Sequence, residues 1–146
     1  LEAARKEMSV AMRDSESAAL AQSRADLEEA ERRGRLEREE RVTRLMMQAN
    51  RAFQLGNYNQ TMGLLDQAMR IEPNNARLWS RLAATRLEQG QPRQAEQLAL
   101  KSNALSGADR RLQAQNWQLV ARARWALDDS AGARAAEKKA RDLGGS

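Results

Sequence analysis

The apolar residues of the stretch LGNYNQTMGLLDQAMRIEPNN, Leu55 to Asn75, recur at helical spacing between a glycine turn at Gly56 and a proline stop at Pro73. The pattern recurs downstream. Laying Gly56 on Gly90, an offset of 90 − 56 = 34 residues, places Leu45 on Trp79, Ala49 on Ala83, Phe53 on Leu87 and Thr61 on Ala95. A third copy follows at an offset of 38, with Trp79 on Trp117, Leu82 on Val120, Ala83 on Ala121, Arg86 on Arg124 and Ala95 on Ala133. The additional residues of that copy are expected in the turn SGADRRLQ. Residues 42–146 thus predict three helical pairs, at about 42–75, 76–109 and 110–143.

Each copy reads as two amphipathic helices joined by a tight turn. Asn74 and Asn75, after Pro73, predict a cap for a helix from about Ala76 to Gln89, which Gly90 ends. Pro92 then stands in the first turn of the next helix, where its missing N–H does no harm. Asp109 is the expected cap of the third pair, Ser130 that of its second helix, and Gly144 the end. No strand signal is present, so the fold class is all-α. Small residues at Ala49, Ala83 and Ala121 let neighbouring helices approach, and Trp79 and Trp117 fill the space between layers. A single copy cannot bury its apolar face alone, so stacking must supply the core.

Residues 1–41 differ. They are helix-forming but poor in large apolar side chains, and Leu20 and Leu27 are followed in the same heptad register by Gly34, so no strong coiled coil is indicated. Acid-first i,i+4 pairs join Glu28 to Arg32, Glu29 to Arg33, Glu31 to Arg35, Glu37 to Arg41 and Glu40 to Arg44. Each pair is worth a few tenths of a kcal/mol. The segment is expected to be a charged helical extension or stalk, about 80 Å long at 1.5 Å per residue if it runs on to Leu55. Gly34 is the expected site of a bend or break.

Composition narrows the chemistry. The 146 residues include no His and no Cys, which removes the usual general base, the Cys-His and Ser-His-Asp nucleophile systems, thiolate metal sites and disulfides. No catalytic residue, metal site or cofactor is expected. Missing cysteine leaves the redox compartment open. The chain starts at Leu1 rather than Met and is expected to be a piece of a longer product, with any signal peptide or lipid-bearing Cys upstream. The net charge of +5 is uneven: residues 1–41 carry 9 basic and 11 acidic side chains (9 − 11 = −2), and residues 42–146 carry 16 and 9 (16 − 9 = +7). The basic half could attract an anionic partner. Charge without aromatic residues at regular groove positions says little about nucleic acid, and none is expected as a ligand.

A period of about 34 residues, with Gly56, Tyr58, Ala68 and Pro73 in the first copy, Trp79, Leu82, Ala83, Gly90 and Ala95 in the second, and Trp117, Ala121, Ala133 and Ala140 in the third, resembles the tetratricopeptide repeat (TPR) family from about Val42 to Leu143. Departures are Thr61 in place of a small alanine, Ser102 and Gly107 in the second copy, and Asp128 where the third copy should have its turn glycine. The resemblance implies a three-repeat helical array, or α-solenoid, preceded by the charged helix. It also implies protein binding in the groove lined by the first helix of each repeat. By position that groove would hold Met46, Asn50 and Phe53; Arg77, Ser80, Arg81, Ala84 and Leu87; and Gln118, Arg122 and Trp125. The family's carboxylate clamp is not reproduced, because only Asn50 matches it and Met46, Arg81, Gln115 and Leu119 occupy its other positions.

The stretch RLQAQNWQLVARARWALDDSAGARAAEKKARDL and the layout of three repeats behind a polar extension are similar to a group of outer-membrane TPR lipoproteins of pseudomonad-type bacteria that activate a bifunctional, class A penicillin-binding protein. That resemblance implies a non-enzymatic scaffold in the periplasm, anchored to the outer membrane by a segment outside this chain. The alternatives are an assembly adaptor for pilus or secretion machinery using the same groove, and, on charge alone, a nucleic-acid-binding repeat.

Overall fold

The computed structural model describes residues Leu1 to Gly144, which form six helices: α1 (Glu2–Gln54), α2 (Tyr58–Ile71), α3 (Ala76–Glu88), α4 (Pro92–Leu105), α5 (Arg110–Ala126) and α6 (Ser130–Gly144). No strand occurs among the described residues. Contacts divide the chain into two compact units, Leu1–Glu40 and Arg41–Ser146.

In the first unit the side chains of α1 are solvated, including Met8, Leu20 and Leu27. The helix does not break at Gly34. A glycine in a helix interior costs about 1 kcal/mol relative to alanine, which the strong helix formers on either side offset. Of the five anticipated ion pairs, Glu29–Arg33 is closed at 3.1 Å with both side chains exposed. The other four are not closed in the described structure. Exposed pairs gain so little over the entropy of holding two long side chains that most stay open.

The second unit contains the repeats. Each repeat's first helix ends in the same way, with a residue in the left-handed conformation followed by a backbone bond back to the helix: Asn57 N–H donates to the Ala52 carbonyl, Gln91 N–H to Arg86 and Asp129 N–H to Arg124, each at 2.9 Å. The left-handed residues are Gly56 (φ 77°), Gly90 (φ 75°) and Asp128 (φ 60°). The first two are glycines because a Cβ is disfavoured there. Asp128 carries out the same turn with a side chain, so the missing third glycine leaves the geometry intact and adds local strain. At the helix starts, Asn75 Oδ1 accepts from Arg77 N–H and Asp109 Oδ1 from Leu112 N–H, both at 3.1 Å, and Pro92 opens α4. The start of α6 differs from expectation: Ser130 is already helical, and Asp129 Oδ1 accepts from Gly132 N–H at 2.9 Å. The longer reach of Asp129 takes the capping role one residue earlier.

Two clusters form the core. Val42 and Ala49 of α1 meet Leu65 and Ala68 of α2 and Leu78 of α3; farther along, Ala83, Ala99, Val120, Ala121 and Ala136 bring α3 to α6 together. A fully buried leucine such as Leu65 or Leu78 contributes about 1.5–3 kcal/mol, and the alanines set the close spacing of the helices. Departures from the repeat pattern are satisfied within this core. Buried Thr61 donates to the Asn57 carbonyl at 2.9 Å, and buried Ser102 to the Ala76 carbonyl at 2.7 Å. Trp79 and Trp117 are half-buried, with Lys101 and Lys139 over their rings at 5.7 and 4.2 Å.

The third repeat corrects one reading. Its additional residues do not lengthen the turn: α5 starts at Arg110 and has 17 residues against 13 in α3. The difference, 17 − 13 = 4, is close to one helical turn of 3.6 residues, so the insertion is absorbed with the register of Trp117, Val120 and Ala121 preserved.

Two predictions follow from this packing. Deleting residues 1–35 should leave a cooperative thermal transition of unchanged midpoint by circular dichroism, because Val42 is the first buried residue; loss of cooperativity would mean that the extension contributes to the core. Asp128→Gly should raise the midpoint, since relief of about 1–2 kcal/mol of left-handed strain outweighs about 0.5–1 kcal/mol of added chain entropy. A lowered midpoint would show that Asp128 is not strained.

Candidate functional site

The first helices of the three repeats enclose a groove of about 510 Å³ within the second unit. From α1 it receives Met46 and Asn50, and from α3 Arg77, Ser80, Arg81 and Ala84. The third wall is α5 with its cap: Asp109, Arg111, Leu112, Gln115, Gln118, Leu119 and Arg122. The α3 residues share one face because positions 77, 80, 81 and 84 follow helical spacing, while Leu78 and Ala83 point into the core.

Among the expected groove residues, Asn50, Arg77, Arg81, Gln118 and Arg122 lie together on this lining. Phe53, Leu87 and Trp125 do not. They are register equivalents, 53 + 34 = 87 and 87 + 38 = 125, about one turn beyond Asn50, Ala84 and Arg122. Phe53 packs edge-on against Tyr58, with centroids 5.5 Å apart. Leu87 is half-buried outside the lining. Trp125 is 42% exposed and engages α6, its indole N–H donating to Glu137 at 2.6 Å with the Arg134 guanidinium 5.8 Å from the ring.

The electrostatics of the groove are one-sided. Four arginines line it against one acid, Asp109, and that carboxylate is already engaged as the cap of α5. Arg122 donates to Glu88 at 3.1 Å, tying α5 to α3. Among the described residues the guanidiniums of Arg77, Arg81 and Arg111 have no ion-pair partner. Desolvation by burial lowers the Arg81 pKa from its ordinary value, as expected for a guanidinium drawn partly out of water without a carboxylate. Asn50 Oδ1 is buried without a hydrogen-bond partner in the described structure, so the groove retains unused polar capacity beside its positive charge.

Arg111 and Leu112 were absent from the expected set. Both stand on the extra turn of α5, within the stretch SGADRRLQ that the repeat spacing reads as a lengthened turn. An insertion of four residues is the length of a helical turn, and this was the signal available for placing them. The groove holds no paired acids, and no group of three or more metal-binding side chains occurs among the described residues. Its chemistry is that of recognition: guanidiniums for anions, carboxamides for peptide groups, and Met46, Ala84, Leu112 and Leu119 for apolar contact.

Residues 52–123 match the tetratricopeptide repeat family model. The solved globular C-terminal domain of P. aeruginosa LpoP is similar at 37% identity and a TM-score of 0.66, over 68% of this chain and 94% of that one. The chain belongs to the tetratricopeptide repeat family. A second similar TPR structure is the Sgt2 domain from Aspergillus fumigatus, at 25% identity and a TM-score of 0.64, over 71% of this chain and 66% of that one. No curated protein matches the sequence. As in other TPR proteins, the fold is a scaffold for protein interaction.

The Arg122–Glu88 pair, with side chains 58% and 34% exposed, should contribute little to folding. Glu88→Gln is expected to lower stability by less than about 1 kcal/mol in chemical denaturation. A larger loss would make the pair a structural tie between the repeats.

Proposed function

We propose that this TPR protein is a non-enzymatic activator that docks a class A penicillin-binding protein through the groove between its repeats and raises the partner's peptidoglycan synthase activity. The observation that carries the reading is the 37% identity to the LpoP C-terminal domain over 94% of that domain's length. In this reading the protein works in the periplasm, held to the outer membrane by an anchor outside residues 1–146. No helix among the described residues is long and apolar enough to cross a membrane.

The groove supports the mechanism. An activator without an active site can act only by binding the enzyme's active conformation more tightly than its inactive one, and its effect is bounded by that difference in affinity. Arg77 and Arg81, on one face of α3, offer charge-assisted and bidentate hydrogen bonds that discriminate between two orientations of a docked segment. The carboxamides of Asn50 and Gln118 add shorter-range selection. Arg122 lies on the same lining and is bonded to Glu88.

The purified protein should increase glycan polymerisation or crosslinking by its cognate synthase and leave lipid-linked precursor alone unchanged. The double variant Arg77→Glu, Arg81→Glu should weaken synthase binding at least tenfold, about 1.4 kcal/mol, with helicity and melting temperature close to wild type. A folded double variant that binds and activates normally would remove the groove from the mechanism. If no synthase responds to the wild-type protein, the reading gives way to an assembly adaptor for pilus or secretion machinery that uses the same groove.

A further inference from the structure

The extra turn of α5 sets this groove apart from a plain repetition of the second repeat. It adds Arg111 and Leu112 to the wall facing α3, where Arg77 and Arg81 already stand. Three guanidiniums without carboxylate partners therefore share one groove with a single, engaged acid. Arg81 is partly drawn out of water and Arg77 and Arg111 are exposed beside it on the same lining, so a bound anion would gain charge-assisted hydrogen bonds from guanidiniums that no carboxylate occupies. The neighbouring side chains indicate the rest of the ligand. The carboxamides of Asn50, Gln115 and Gln118 offer both donors and acceptors to a peptide backbone, and Met46 and Leu119 offer apolar contact. No aromatic side chain lines the groove, so it lacks the stacking platform that single-stranded nucleic acid uses.

We propose that the groove binds an extended peptide segment carrying at least two carboxylates, and that Arg111, supplied by the extra turn of α5, acts with Arg77 and Arg81 as its charge-reading subsite. The arrangement shares one position with the family's carboxylate clamp, Arg81 standing where the second repeat of a clamp has asparagine, and departs from it at Met46, Gln115 and Leu119, while Arg77 and Arg111 lie outside the clamp positions. It rests on the reading that the groove is the docking site. It goes further by fixing the chemistry of the docked segment: the partner must present an acidic, unfolded or loop-borne stretch. Arg122, already bonded to Glu88, is not counted in the subsite.

The test uses the whole chain and three fluorescein-labelled ten-residue peptides of Gly and Leu with four Glu, four Gln or four Lys, followed by fluorescence anisotropy. The Glu peptide should bind at least about tenfold tighter than the Gln peptide, as charge-assisted bonds replace neutral ones, and its affinity should fall between 50 and 300 mM salt as about 10 Å screening shortens. Arg111→Gln should weaken the Glu peptide at least about fivefold. Arg111→Lys should restore only part of that loss, because an ammonium keeps the charge but not the planar fork. Arg44→Gln, on the exposed part of α1 outside the groove, should have no effect. Equal binding of the Glu and Gln peptides, a silent Arg111→Gln, or tighter binding of a labelled ten-nucleotide oligo-dT would each overturn the proposal. Synthase stimulation is a separate measurement. Activation without a preference for the Glu peptide sinks this inference alone, and a preference for the Glu peptide without activation sinks the synthase assignment alone.

Discussion

The fold depends on close approach of neighbouring helices at buried alanines. Ala49, Ala83 and Ala121 occupy the same position in three successive first helices, and Ala95 and Ala133 do so in the second helices. A larger side chain at any of them would push a helix away from its neighbour and open the layer behind it. Because each repeat has too little apolar area to close a core by itself, the spacing set at one alanine is transmitted to the next repeat. Departures from the pattern are therefore accommodated by hydrogen bonds and not by altered spacing. Thr61 and Ser102 remain buried because each hydroxyl finds a backbone carbonyl, which avoids the cost of an unsatisfied polar group.

The same stacking builds the groove. With the inner faces of α3 and α5 held to the core by Leu78, Ala83, Val120 and Ala121, the remaining faces must line a common channel. Their polar residues are then brought to shared walls, however far apart they lie in sequence. Arg77 and Arg111 are 111 − 77 = 34 residues apart, and only the packing of α3 beside α5 makes them one electrostatic feature. The four inserted residues were decisive here. A helix absorbs nearly a full turn without rotating the residues that follow, so the core register survived and the groove gained a wall segment.

The balance of charge in that groove also separates folding from recognition. Where a pair contributes to architecture, both partners come from the repeats: Arg124 meets Glu96 at 2.9 Å with both side chains about three-quarters covered, 22% and 23% exposed, and donates to the Gly132 carbonyl at 3.1 Å. Arg122 and Glu88 form a more exposed version of the same link. Arg77, Arg81 and Arg111 have no such internal partner, and a chain under selection for stability alone gains nothing by collecting unpaired guanidiniums around one groove.

Periodicity and turn residues determined much of this protein from the sequence alone. The offsets of 34 and 38, the cap at Asn75 and the left-handed turns at Gly56 and Gly90 specify helix boundaries locally, because hydrogen bonding at a helix end involves only residues a few positions away. The TPR assignment and the long charged helix were legible for the same reason. Tertiary packing decided the rest. Whether four inserted residues become loop or helix depends on whether their apolar member, Leu112, finds cover, and it is buried against the array. Whether Phe53, Leu87 and Trp125 face the groove depends on where along the first helices the walls converge, and they converge one turn earlier. Which arginines are free depends on whether an acid lies within reach across the stack: Glu88 reaches Arg122, and no described carboxylate reaches Arg81. Such contacts span a full repeat, and their geometry is set by helix spacing and rotation, which a linear pattern of residue types does not encode.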